Sequence, residues 1–200
     1  MFVNSLRKIT FKVSDLYFSI LILCNKNVFL GKNCVVKGLP AIQVSKGACI
    51  KVGNNVTLNS RNYGYHANMH SSVKLMADRP DARIEIGANT RINGACIHAY
   101  KKIKIGENCL IAANVQIFDS NGHEASFDNV GERINTRDEG KEIIIENNVW
   151  IGINAIILPG VTIGNGSIIG ANTVVSADVP ARVVFAGNPG RVIKKYVNND

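Results

Sequence analysis

Aromatic residues are scarce, 6% of 200 residues with a single tryptophan, so the chain has no array of stacking side chains of the kind that binds nucleic acid. Cysteine is also sparse. The five, Cys24, Cys34, Cys49, Cys96 and Cys109, are an odd number with no Cys-x-x-Cys, which argues against a disulfide framework and for free thiols in a reducing compartment. Five prolines and a 46% hydrophobic composition exclude a disordered or fibrous chain. No apolar run approaches the ~20 residues of a membrane-spanning helix. The apolar stretch 16–23 is followed by no small-residue cleavage site, so neither a signal peptide nor a transmembrane helix is expected. Acidic residues are in deficit: 15 Asp and Glu against 23 Lys and Arg give a net charge of +8. That suits an anionic partner, and phosphate-bearing cofactors, nucleic acid and acidic lipid meet the requirement equally.

What is present begins with Phe2, Leu6, Ile9, Val13, Leu16 and Ile20, at spacings of four and three, among basic residues Arg7, Lys8 and Lys12. The spacing predicts one apolar helix face. Residues 1–27 are expected to form a cap on the end of the domain, with residues 1–23 lying on an anionic membrane surface as the alternative. The expected location is cytoplasmic, or peripheral to the inner face of the membrane.

From there on a repeat organises the chain. Ile145, Ile151, Ile157, Ile163, Ile169 and Val175 recur at a strict spacing of six. At the chain's frequency of Ile, Leu and Val, six matches in one phase arise by chance with a probability on the order of 0.0004. A second column, Val149, Ala155, Val161, Ser167, Thr173 and Val179, runs four residues behind and is small or β-branched. Gly or Asn recurs between units, where a corner needs positive φ. Short strands joined by such corners stack into a β-solenoid. The same phase recurs at Ile86 and Ile92, with Thr90 and Cys96 behind, and at Ile105, Ile111 and Ile117, with Cys109 and Val115 behind; it would turn His98 inward. Residues 28–180 are therefore read as the solenoid, with insertions at about 59–83 and 124–142, and 181–200 as a tail.

The segments Ile105-Gly106-Glu107-Asn108, Ile111-Ala112-Ala113-Asn114-Val115, Gly122-His123, Asn147-Asn148-Val149-Trp150-Ile151-Gly152, Leu158-Pro159-Gly160-Val161-Thr162-Ile163-Gly164 and Ala186-Gly187-Asn188-Pro189-Gly190-Arg191-Val192-Ile193-Lys194 resemble the hexapeptide-repeat acyltransferases. They resemble most closely the branch of galactoside, maltose and polysaccharide O-acetyltransferases and xenobiotic acetyltransferases. The resemblance implies an all-β fold, a left-handed parallel β-helix, although parallel crossovers generally have the opposite hand. It also implies acetyl-coenzyme A as co-substrate and a homotrimer with active sites between subunits.

By the same resemblance His123 is the catalytic base, a role that neutral imidazole suits near pH 7. Asp119 and Glu124 are the carboxylates near enough in sequence to orient it, and a backbone carbonyl could do the same. Asn93 is the expected acceptor-binding residue, while Lys101 stands where the galactoside branch usually has a carboxylate, so that branch's specificity does not transfer. Trp150 and Gly152 would line the pantetheine channel, with the Gly152 N–H meeting the thioester oxygen. Ala171 and Ser176 would contact the coenzyme, and Arg191 and Lys194 its phosphates. His66 and His70 lie in the first insertion without an assigned role.

The implied activity is O-acetylation of a sugar hydroxyl, on a cell-surface polysaccharide precursor, by direct transfer. N-acetylation of a nucleotide-linked amino sugar is the alternative. A non-catalytic solenoid scaffold and a γ-class carbonic anhydrase are the readings from other classes. No metal and no nucleic acid are expected.

Overall fold

A six-residue unit with one branched aliphatic side chain buries it only if the chain turns a corner after each unit and returns above its start. The computed structural model describes residues 25–196, and there successive strands fall on three faces in rotation. The first sheet holds six strands, Val28–Leu30, Cys49–Val52, Arg83–Ile86, Lys102–Ile105, Ile143–Ile145 and Thr162–Ile163. The second holds eight: Val35–Lys37, Thr57–Asn59, Arg91–Asn93, Leu110–Ile111, Trp150–Ile151, Ile168–Ile169, Val183–Ala186 and Arg191–Lys195. The third holds Ala41–Val44, Lys74–Ala77, Cys96–Ala99, Gln116–Phe118, Ile156–Ile157 and Val174–Val175. Neighbours run parallel throughout, except for the last pair of the second sheet, Val183–Ala186 with Arg191–Lys195.

Ile145 pairs with Ile163, Ile151 with Ile169 and Ile157 with Val175, so three six-residue units make one coil. These six side chains are 0–1% exposed, and stacked like on like they fill the prism; full burial of each stabilises by about 1.5–3 kcal/mol. The small column is buried at the corners. Its polar members stay hydrogen-bonded: the Ser167 hydroxyl donates to the Pro180 carbonyl at 2.6 Å, and Thr173 Oγ1 accepts from the Gly187 N–H at 3.2 Å.

The corners explain the asparagines. Asn55, Asn89 and Asn108 sit at φ of 57–58°, in the left-handed region that Asn tolerates. Their amides link coil to coil, Asn55 Nδ2 to Asn89 Oδ1 at 3.0 Å and Asn89 Nδ2 to Asn108 Oδ1 at 3.1 Å. Just before each corner the backbones approach so closely that a Cβ on Gly87 would lie 2.5–2.6 Å from the Gly106 and Glu107 backbones.

Two expectations from the six-residue phase are corrected. Between Ile92 and Ile97, both fully buried, the spacing drops to five, because Gly94 at φ 49° turns the corner against Met69. Ala95 therefore takes the small buried position, and Cys96 and His98 face outward. His98 Nε2 lies 3.2 Å from Asp78 Oδ2, and its ring meets Tyr100 edge-on at 5.0 Å. Secondly, the first insertion is shorter than 59–83. Leu75 and Ala77 are fully buried on strand Lys74–Ala77, an alternation of period two that a six-residue search passes over. Residues 183–195, within the segment read as a tail, continue the second sheet, and Phe185, 6% exposed, closes the end of the core.

The cap expected over residues 1–27, and with it the membrane contact of residues 1–23, falls almost wholly outside the described residues. Among those described, no helix is long and apolar enough to cross a membrane.

Candidate active site

Strand Gln116–Phe118 ends at Asp119, which is fully buried. Its carboxylate accepts the N–H groups of Tyr100, Lys101 and Lys102 at 2.7, 2.8 and 2.7 Å, and its carbonyl accepts the Lys141 N–H at 2.6 Å. The chain thus leaves the coil and rejoins it at one pinned edge between the third and first sheets. Burial pushes the Asp119 carboxyl above its ordinary range, against the pull of those three N–H donors. The excursion is held from within by Asp138, which accepts from the Ser120 hydroxyl, from the Asn121 N–H at 2.7 Å and from the Gly140 N–H at 3.1 Å. Arg79 reaches across from the third-sheet side, Nη1 donating to the Asp138 carbonyl at 2.5 Å and the guanidinium stacking 3.9 Å from the Tyr100 ring centroid.

His123 stands exposed on this loop. Its Nδ1 lies 3.0 Å from the Thr136 carbonyl oxygen. A carbonyl only accepts, so Nδ1 carries the proton and, in the neutral ring, Nε2 holds a free lone pair. Of the orienting groups left open by the sequence, the hydrogen bond is to a backbone carbonyl and to neither carboxylate. Asp119 is committed to three amides, and it is the backbone N–H of Glu124 that reaches Thr136, at Oγ1 2.9 Å away. The Thr136 hydroxyl in turn donates to the Arg133 carbonyl at 2.8 Å, which fixes the orienting residue itself.

A groove of about 490 Å³ runs over the second sheet, lined among others by Tyr65, Arg91, Asn93, Trp150, Gly152 and Ala171. Strand pairing puts Arg91, Leu110, Trp150, Ile168, Val184 and Lys194 in one row across successive strands. Paired residues share a face. The row is therefore an outward apolar stripe with a cation at each end. From Trp150 to Lys194 is three strand steps, about 14 Å.

Four of the expected residues, Asn93, Trp150, Gly152 and Ala171, meet in this groove. Two of them differ in detail from expectation. The Gly152 N–H is engaged in the ladder, donating to Ile169 O at 2.8 Å, because parallel stacking claims that donor; the glycine serves close packing, since a Cβ there would lie 2.6 Å from the Ala171 nitrogen. Asn93, 7% exposed, bridges the coils: Oδ1 accepts from Asn59 at 3.1 Å and Nδ2 donates to Ile111 O at 3.0 Å. One N–H and one lone pair of its amide remain. Ser176 is not in the groove. It follows strand Val174–Val175 of the third sheet and lines a separate cavity with Asn121 and Asp138. Arg191 lies opposite Ala186 at the last coil, and Lys194 sits 4.7 Å from the Tyr196 ring centroid. His123 is not among the residues lining the groove: its loop leaves the prism at the edge opposite the second sheet.

The family model described as hexapeptide repeat of succinyl-transferase matches residues 83–118, and that described as bacterial transferase hexapeptide (six repeats) matches residues 142–177. The chain is 40% identical over 121 residues to the galactoside O-acetyltransferase of Escherichia coli (strain K12), covering 60% of this chain and 57% of that one. It is 34% identical over 146 residues to a protein of the same organism named putative lipopolysaccharide biosynthesis O-acetyl transferase, covering 69% of this chain and 74% of that one. The chain belongs to the hexapeptide-repeat acyltransferases. A solved galactoside acetyltransferase in complex with coenzyme A is 39% identical, with a TM-score of 0.52 over 58% of this chain and 60% of that one.

As a hexapeptide-repeat acyltransferase the chain is a left-handed parallel β-helix. Among its described residues no three of His, Cys, Asp and Glu gather as a metal site. Sequence reasoning missed Thr136, Asp138 and Arg79. Thr136 acts through its carbonyl, which every residue has, and so leaves no signal in residue type. Asp138 lies in a charged run, Arg137-Asp138-Glu139, where nothing separates the anchoring carboxylate from its solvated neighbour.

Proposed function

We propose that this chain transfers the acetyl group of acetyl-coenzyme A to a sugar hydroxyl, on a cell-surface polysaccharide precursor, with His123 as general base. The observation that carries the reading is the Nδ1–Thr136 hydrogen bond, which leaves Nε2 of an exposed imidazole ready to accept a proton. In the step, the acceptor hydroxyl gives its proton to Nε2 as its oxygen attacks the thioester carbonyl carbon. The carbon–sulfur bond then breaks, and the imidazolium returns the proton to the departing thiolate. No covalent acetyl-enzyme forms.

The second-sheet stripe suits the coenzyme. Trp150, Ile168 and Val184 offer apolar contact to an extended pantetheine arm, and Lys194 and Arg191 stand where its phosphates would arrive. If so, replacing both Arg191 and Lys194 with Ala raises the KM for acetyl-coenzyme A by about 100-fold or more, as expected for two charge-assisted phosphate contacts worth ~1.5–3 kcal/mol each. The KM for acetyl-pantetheine, which has no phosphates, stays at the wild-type value. Initial-rate measurement of thiol release with both donors checks this, and an equal rise for both overturns the assignment.

Base and groove lie on opposite sides of one prism, which favours a site completed between copies, in a homotrimer. Phe127, Val130 and Ile134, 82%, 60% and 78% exposed on the His123 loop, are apolar residues suited to contact with a neighbour. Two inactive variants, His123→Ala and Trp150→Ala, then complement each other: mixed oligomers regain a sizeable fraction of wild-type turnover, each having some clefts with neither lesion. Absence of any regain in mixed oligomers confirmed by native mass spectrometry counts against a shared site.

A further inference from the structure

One feature of the groove is left over when the coenzyme has been placed. Arg91 is exposed at the end of the stripe remote from Lys194. Five strand steps separate the two, on the order of 24 Å, so a coenzyme whose phosphates lie at Lys194 and whose thioester lies near Trp150 cannot also use Arg91. Among the described residues no carboxylate pairs with it. The groove therefore has a second, unassigned cation two coils beyond the place where the acetyl group would be transferred.

What surrounds Arg91 is built rather than incidental. Tyr65 and His66 line the same end of the groove, their ring centroids 4.5 Å apart with planes inclined at 43°. Burial pushes the Tyr65 hydroxyl's pKa up, against the opposing pull of the Ala113 backbone and the Arg91 charge. The loop carrying the two rings is tied to the coil by Asn114, whose Oδ1 accepts the His70 N–H at 3.1 Å and whose Nδ2 donates to the Asn68 carbonyl at 3.0 Å. Met69, 4% exposed, seats it against Gly94.

We infer that Tyr65, His66 and Arg91 form the acceptor subsite, and that it selects an anionic saccharide, one bearing a carboxylate or a phosphate. The inference rests on the acetyltransferase reading above. Two ring faces present apolar, weakly polar surface to the C–H face of a sugar. The guanidinium offers a planar fork of donors that matches carboxylate and phosphate oxygens two at a time. An acceptor held there by its charge puts its free hydroxyls toward Trp150, where the thioester carbon awaits attack.

The test compares wild type, Arg91→Ala and Arg91→Lys with three ligands: an oligosaccharide of a carboxylate-bearing sugar, its carboxyl-reduced neutral counterpart, and a nucleotide sugar. Equilibrium binding is measured by titration calorimetry, separately from acetyl transfer, so that a failure of the activity reading does not hide the answer. The expected result is at least tenfold tighter binding of one of the two anionic ligands than of the neutral one. Arg91→Ala abolishes that preference, Arg91→Lys restores part of it, and the KM for acetyl-coenzyme A is unchanged. Which anionic ligand shows the preference tells carboxylate from phosphate. Equal binding of neutral and anionic ligands, or an unchanged preference in Arg91→Ala, overturns the inference. Anion-selective binding without any acetyl transfer would instead sink the enzymatic reading and leave the subsite standing.

Discussion

His123→Ala is expected to lower kcat by about 10²- to 10⁴-fold, the usual contribution of a positioned general base, while the coenzyme Kd stays within about twofold of wild type. The split follows from placement. The imidazole is on the 119–142 excursion, and none of the stripe residues from Arg91 to Lys194 depends on it for a contact. Nor does the fold. The side chain is exposed and its one hydrogen bond is to the Thr136 carbonyl, which water can satisfy in the variant. Circular dichroism and melting temperature should therefore match wild type. A wild-type kcat in the variant would remove His123 from the mechanism; a parallel loss of coenzyme affinity would mean the loop contributes to donor binding.

Asp119→Ala is expected to do the opposite, and to do it through stability. Removing the carboxylate leaves the Tyr100, Lys101 and Lys102 N–H groups without their acceptor at a buried turn, at a cost of about 3–5 kcal/mol. Urea unfolding gives the number directly, and a loss below ~1 kcal/mol would show that water replaces the carboxylate. The size of the loss should vary with pH. Because burial raises the folded carboxyl's pKa above its unfolded value of about 3.9, the folded state holds that proton more readily than the unfolded state does. Stability linked to this group is complete below the unfolded value and declines as pH rises through the folded one. The gap between variant and wild type accordingly narrows upward from about pH 4.

The two variants mark where the sequence could and could not be read. From Ile145 to Val175 the six-residue period is legible because every coil there has the same length, so periodicity in sequence and stacking in space coincide. One missing residue, between Ile92 and Ile97, is enough to turn His98 from an inward residue to an outward one, and only the tight corner at Gly94 reveals the slip. The groove residues Trp150 and Ala171 were visible through resemblance. Ser176 lies outside the groove because residues near one another along the last coils lie on different faces. The Gly152 N–H was misassigned for a related reason: in a parallel stack a ladder amide already has its acceptor on the next coil. Thr136 shows the remaining limit, since a role performed by a main-chain carbonyl depends on where the loop folds back and not on which residue is there.

The stripe on the second sheet is built of strands stacked one above the next. Its length from aromatic ring to terminal lysine is set by a count of coils and one closing hairpin, each adding one strand spacing. Such a surface behaves as a ruler with fixed graduations. Reach can be altered only in whole increments, by gaining or losing a coil at a time, whereas a shorter insertion bulges outward and leaves the graduations untouched. The 119–142 excursion is such a bulge: Leu110 on one side of it and Trp150 on the other remain adjacent marks.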